Sequence, residues 1–251
     1  MQSPYRARLA HTALVVCAAL LAACAAPEPP LPDYRNIVVA ADRLDADRVL
    51  DQRRKPEQLL EFYGVRPGMR VLDVSAGRGY NSELLARAVG PAGRVYAHTS
   101  PSMSFPAAKA ALEERLKRPV MRNAVLVNRE FEDPVPPDVR NLDLVTFNFN
   151  YHDVVWLGTD RARMNRAIFQ ALKPGGVYIV ADHSAKPGAG VSVAKSLHRI
   201  EESVVRQEVL AAGFKLVSVG DFLRNPADPR DVPVQKNTVP NDEFVLKFVR
   251  P

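Results

Sequence analysis

Cysteine is almost missing from this chain. Cys17 and Cys24 are the only two in 251 residues, so everything from Ala25 onward is without a disulfide, a thiolate nucleophile or a cysteine-ligated metal. Long apolar runs are missing too. The one uncharged stretch, Thr12 to Ala26, is shorter than the roughly 20 residues that carry a helix across a bilayer. No internal repeat is visible, and lysine and arginine do not cluster among aromatics in the manner of a nucleic-acid surface. With a single tryptophan and 7% aromatic residues, but 47% hydrophobic ones, the chain has to be stabilised by an aliphatic core.

The first thing present is a leader pattern. Arg6 and Arg8 precede the apolar run, which reads as a secretory signal, and Leu21-Ala22-Ala23-Cys24 resembles the lipobox of bacterial lipoproteins. That resemblance implies cleavage before Cys24, a lipid on its thiol, and anchorage to a membrane without a span. Residues 1–23 are therefore expected to be the signal, 24–36 the lipidated cysteine with a proline-rich spacer (APEPPLPD), and 37–251 the folded domain. Alanine rather than aspartate after the cysteine points to the outer membrane more than the inner, at the periplasmic face. Removal of Arg6 and Arg8 with the leader lowers the net charge from +6 to +4, a mild excess suited to anionic headgroups.

Beyond the spacer, IVVAADRLDADRVLDQRRKPEQLLEFYGV predicts helix interrupted at Pro56 and stopped at Gly64. Apolar strands are then expected at Arg70–Val74, Arg94–His98, Val125–Glu130, Leu142–Asn148, Gly176–Asp182, Lys215–Phe222 and Glu243–Val249. Helices are expected at Asn81–Val89, Ala107–Leu116, Arg161–Leu172 and Glu201–Ala212. This alternation predicts an α/β domain with a mainly parallel sheet covered on both faces. The long loop from Arg224 to Asn241 replaces a crossover helix, so the last two strands are expected to pair antiparallel at one edge.

Chemistry concentrates at strand ends. In VLDVSAGRGY, Gly77 and Gly79 allow positive φ and close approach of a ligand to backbone, the following helix offers free N–H groups, and Asp73 can orient the turn or accept from an ammonium. In NFNYHD, Asn148 and Asn150 can bond a polar acceptor, Tyr151 can stack or donate, and His152 is the natural general base near neutral pH. His98, His152 and His183 each close a different strand, with Asp153 and Asp182 adjacent; His152 and His183 are expected to be the working pair. His198, on a helical stretch, is expected to pack or face solvent. No HxH or HxxxH spacing marks a metal site, and no metal ligand is assigned.

GVRPGMRVLDVSAGRGYNSELLARAVGPAGRVYA, NLDLVTFNFNYHDV, ALKPGGVYIVADHSA, HRIEESVVRQEVLAAGFKLV and FLRNPADP together resemble the class I S-adenosylmethionine-dependent methyltransferases, in particular uncharacterised exported bacterial proteins of that kind, from about Leu44 to the C-terminus. The resemblance implies a Rossmann-like seven-stranded fold and S-adenosylmethionine as cofactor, held by Asp73, Ser75, Gly77, Gly79, Thr99 and Asn148. Catalysis would fall to His152, Tyr151, Asn150 and His183. Two positions depart from the pattern. Ser75 stands where the family has its first glycine, and the second strand ends in His98, Thr99 and Ser100 where the family has an acid that grips the ribose hydroxyls. Glu130 and Glu132 lie near the family's adenine contact. Three functions remain open: methyl transfer to a small or lipid-associated acceptor in the envelope, non-catalytic ligand binding on the same scaffold, or metal-assisted hydrolysis by the histidine rim.

Overall fold

The computed structural model describes residues 29–103 and 105–251; the expected signal segment and the lipidation site at Cys24 lie outside them. Three short helices come first: α1 (Tyr34–Val39), α2 (Asp45–Arg54) and α3 (Pro56–Tyr63). Pro56 stops α2 as expected, with Lys55 left-handed at φ 44°, and Gly64 at φ 70° stops α3. Tyr34 is buried, and its hydroxyl donates to the Val65 carbonyl at 2.8 Å. Asp33 caps α1 through the Asn36 N–H.

The remaining elements are β1 (Arg70–Val74), α4 (Tyr80–Val89), β2 (Arg94–Thr99), α5 (Pro106–Leu116), β3 (Ala124–Asn128), β4 (Leu142–Asn148), α6 (Tyr151–Trp156), α7 (Arg161–Ala171), β5 (Leu172–His183), α8 (Ala194–Leu197), α9 (Glu202–Ala211), β6 (Lys215–Gly220) and β7 (Glu243–Val249). The strands form one sheet in the order β3-β2-β1-β4-β5-β7-β6. The first five run parallel, and β7 pairs antiparallel with both β5 and β6. This is the expected Rossmann-like architecture with its antiparallel edge. The central strands are largely apolar because helices cover both faces, giving separate hydrophobic layers.

LKPGG, expected to precede the fifth strand, is part of it. Gly175 donates to the Arg250 carbonyl at 2.8 Å, and Arg250 donates back to Gly176 at 2.9 Å. A Cβ on Gly176 would meet the Lys173 carbonyl at 2.8 Å, so the glycine is there for close packing.

The N-terminal helices are fastened beside the sheet by charge pairs. Arg115 on α5 binds Asp47 at 2.5 Å and Glu83 at 2.8 Å, and Arg43 binds Asp51 at 2.6 Å, all substantially buried. Removing one partner from such a pair leaves an unpaired charge in a dry place, which fixes the helices in position more than it adds net stability. Their fixed position carries Arg53 and Arg54 to the rim formed by the carboxyl ends of the parallel strands. β1 and β4, whose connections leave in opposite directions across the sheet, open the crevice at that rim.

Candidate active site

β1 ends in a turn whose backbone is left-handed three times, at Ser75 (φ 57°), Gly77 (φ 58°) and Gly79 (φ 83°). A Cβ on Gly79 would lie 2.8 Å from both Arg115 Cδ and Leu112 Cδ1, whereas one on Gly77 would meet nothing within 4 Å. Gly79 thus serves packing against α5, and Gly77 keeps backbone open to the crevice. Asp73 sits beneath, buried, accepting from Asn81 Nδ2 at 2.8 Å, Ser82 Oγ at 2.6 Å and Thr146 Oγ1 at 2.9 Å. Burial pushes its carboxyl up in spite of these bonds. Of the two roles expected of it, the geometry gives Asp73 the first: it holds the start of α4 against β4.

His98 completes the turn from the neighbouring strand. Fully buried, it accepts from the Ser75 N–H at Nδ1 (3.3 Å), which leaves the proton on Nε2 to donate to the Arg129 carbonyl at 2.9 Å. Burial drives its pKa down to about 4, only partly offset by that carbonyl. His98 is therefore a neutral brace, separate from the histidines at the rim. Above it lies a 290 Å³ cavity lined by Ser75, Gly77, Thr99, Ser100, Met103, Phe105, Lys109 and Asn128. Thr99 Oγ1 donates to Asn128 Oδ1 at 3.2 Å. Glu130 is drawn away from this cavity: its carboxylate accepts from Ser100 Oγ (3.1 Å), the Ser102 N–H (3.3 Å) and the Ser102 hydroxyl, closing the turn after β2.

NFNYHD divides between core and rim. Tyr151, expected at the ligand, points into the core, where its hydroxyl donates to Glu208 at 2.8 Å and accepts from Asn165 at 2.8 Å. The helical start of α6 turns it inward while its two neighbours stay at the edge. Asn150 Oδ1 accepts from Ser75 Oγ at 3.2 Å, and its Nδ2 donates to Asp153 Oδ2 at 2.7 Å, linking the glycine turn to the second constellation. Asn148 donates to the Tyr63 hydroxyl at 2.9 Å, and its own oxygen is buried without a donor among the described residues. Phe149 between them is left-handed at φ 60°, a strained setting for an aromatic residue of the kind that marks functional edges.

His152 does not have the charge state expected of it. Its Nδ1 lies 2.7 Å from Asp182 Oδ1 and its Nε2 3.3 Å from Asp153 Oδ1. Burial opposes protonation, but the two carboxylates outweigh it and carry the pKa up to about 10. With a proton held at neutral pH, His152 is no ready base in this arrangement. Asp153 is held down to about 2: burial works against its charge, but His152, Asn150 and Trp156 prevail. The expected pairing with His183 is met in space, with ring centroids 5.8 Å apart, and His198 stands as near on the other side at 5.4 Å. His198, expected to pack or face solvent, belongs to the cluster. Its Nδ1 is 3.6 Å from Asp153 Oδ1 while a third of its side chain stays exposed.

Two arginines carry no sequence signal, one at the rim and one beneath the 224–241 loop. The Arg54 guanidinium carbon sits 4.0 Å from the centroid of the Phe149 ring, with its Nε sealed from solvent and unbonded among the described residues; burial lowers its pKa to about 10. Arg199 is fully buried against Asp228 at 2.8 Å. That pair anchors the loop from Arg224 to Asn241, so RNPAD is a structural fastening. The loop walls a 380 Å³ cavity that contains His183 and Arg53 and does not line the one over the glycine turn. His183 Nδ1 is 2.9 Å from Glu243 Oε1, off the angle of a hydrogen bond.

Residues 72–180 match the family model described as the methyltransferase domain. Among curated proteins, the chain is 35% identical over 130 residues to the ubiquinone/menaquinone biosynthesis C-methyltransferase UbiE of Ectopseudomonas mendocina, covering 51% of this chain and 47% of that one. It spans about half the length of the curated relatives it matches. Among solved structures, an S-adenosylmethionine-dependent methyltransferase of Aquifex aeolicus superposes with a TM-score of 0.60 at 18% identity, covering 88% of this chain and all of that one. An arsenic(III) S-adenosylmethionine methyltransferase of Chlamydomonas reinhardtii gives a TM-score of 0.55 at 19% identity, covering 87% of this chain and 73% of that one. These two likenesses are of fold.

Proposed function

We propose, from the match of residues 72–180 to the methyltransferase-domain model, that this protein transfers a methyl group from S-adenosylmethionine to a small or lipid-associated acceptor. The observation that carries the reading is the turn from Ser75 to Gly79, left-handed three times and opening on a 290 Å³ cavity. The residues present fit the cofactor: Gly77 leaves room where a Cβ would otherwise stand, Thr99 and Asn128 offer a hydroxyl and an amide at adjacent strand ends, and the unbonded oxygen of Asn148 suits an ammonium donor. When bound, S-adenosylmethionine supplies an electrophilic methyl carbon on a sulfonium, which needs alignment with its acceptor more than acid–base help.

The chain's own side chains supply that alignment. Asp73 holds Asn81 and Ser82, and so the start of α4, in place. Asn150 bridges Ser75 to Asp153, and the Arg54 guanidinium over Phe149 favours an acceptor with negative charge. Arg6, Arg8, the apolar stretch to Ala26 and the sequence Leu21–Cys24 support work in the cell envelope from a lipid anchor at Cys24, on the periplasmic face and at the outer membrane rather than the inner.

Thr99 favours a second reading. A hydroxyl in place of the ribose carboxylate weakens the grip on S-adenosylmethionine, in keeping with a non-catalytic envelope binding protein that takes another metabolite on the same scaffold. Calorimetric titration with S-adenosylmethionine and its demethylated product separates the two. Micromolar binding supports methyl transfer, and no heat at millimolar ligand from folded protein supports the second reading.

A further inference from the structure

We propose that His152, Asp153 and His198 form a binding site for one divalent first-row transition-metal ion, with Asp182 orienting His152 from behind. Asp182 accepts from the His152 backbone N–H at 2.7 Å and lies 2.7 Å from His152 Nδ1. The ring is thereby fixed, and Nε2, on giving up its proton to solvent, is the nitrogen that takes the ion. This is the carboxylate–histidine arrangement that protein metal sites use to hold a ligand.

The spacing suits an ion. Bonds of about 2.1 Å spread tetrahedrally set ligand atoms about 3.4 Å apart. His152 Nε2 is 3.3 Å from Asp153 Oδ1, and His198 Nδ1 is 3.6 Å from the same oxygen. All three ligand atoms lie within 4.8 Å of one another. Asp153 is itself steered, by Trp156 Nε1 at 2.9 Å and by Asn150 Nδ2 at 2.7 Å.

His198 reaches the site because the chain doubles back after β5. Ser184 bridges to Ile200, the Ile200 N–H donates to the His183 carbonyl at 3.0 Å, and the Ala185 N–H donates to the Ile200 carbonyl at 2.9 Å. The exposed flank of His198 leaves coordination positions open towards solvent. Two imidazoles and one carboxylate select zinc, cobalt, nickel or ferrous iron. Magnesium and calcium, which ask for oxygen ligands, are a poor match.

The test uses the purified full chain and Co²⁺ alone, read by visible ligand-field absorption, with Zn²⁺ titrated against it. The expected result is one bound Co²⁺ per chain, displaced by Zn²⁺. His198→Ala, at a part-exposed position, should weaken binding at least about 10-fold, and Asp182→Asn about 10-fold to 100-fold, with folding of each variant checked by circular dichroism. Glu201→Gln, close by but outside the ligand set, should bind as the unaltered protein does. Absence of a visible band at millimolar Co²⁺, or equal binding by the unaltered chain and His198→Ala, would overturn the proposal. The readout is free of methyl transfer, so it stands or falls apart from the cofactor reading.

Discussion

Acidification should loosen this protein through one buried imidazole. His98 titrates at about 4 in the fold against about 6.5 in an unfolded chain. A histidine with its folded pKa depressed contributes full stability above the unfolded value and loses it as pH falls from about 6.5 towards 4. Between about pH 7.5 and 4.5, the linkage costs the native state about 2.5 kcal/mol from this residue alone. Carboxylates titrate over the same interval, so the measurement has to be a difference. Urea unfolding of the unaltered protein and of His98→Asn, each at both pH values, isolates it. Asparagine can still accept from the Ser75 N–H but cannot titrate. The variant starts less stable, yet its loss on acidification should be smaller by about 2.5 kcal/mol. Equal losses in the two proteins, within about 0.5 kcal/mol, would refute the neutral-brace assignment.

Thr99→Asp should restore a charge-assisted bond at the end of β2 and raise S-adenosylmethionine affinity about 10-fold to 100-fold by calorimetry; unchanged or weaker binding would mean that the ribose does not lie against Thr99. Ser75→Gly relieves a left-handed serine but removes its bond to Asn150 Oδ1 and adds unfolded-state freedom, so unfolding stability should change by less than about 1 kcal/mol; a loss above about 2 kcal/mol would show the Ser75–Asn150 bond to dominate the turn. Arg199→Ala leaves Asp228 charged and unpaired in the interior and should cost about 3–5 kcal/mol in urea unfolding. A loss below about 1 kcal/mol would show the 224–241 loop to be held by other contacts.

The strands were the most legible part of the sequence. Arg70–Val74, Leu142–Asn148 and Glu243–Val249 fall at their expected bounds, because an apolar run between turn signals is a local property. The antiparallel edge could be inferred from a loop without a crossover helix. At the site, Asn148 and His183, which close β4 and β5, lie at the rim because strand order alone puts them there, whereas His98 at the end of β2 is buried under the turn. What failed depended on partners distant in the chain. The charge on His152 is set by Asp182, 30 residues later, and His198 joins the cluster only because Ser184 pairs with Ile200. Arg54 arrives through the packing of α2, in a charged stretch whose pattern says nothing of Phe149. Tyr151 misled because its motif is polar while the turn of α6 sends its ring inward.

The place of β7 has a consequence for how the domain is made. β7, the last of the described strands in sequence order, lies between β5 and β6 and gives each of them its antiparallel partner. Until residues 243–249 have been synthesised, β5 keeps a bare edge and β6 has no sheet to join. The parallel half, β1 to β5, can assemble earlier, but its border would be an adhesive one. Completion of the sheet thus waits for residues 243–249, which are made after every other described strand. A chain stalled short of residue 243 should be a target for chaperones or proteases, not a smaller version of the same protein.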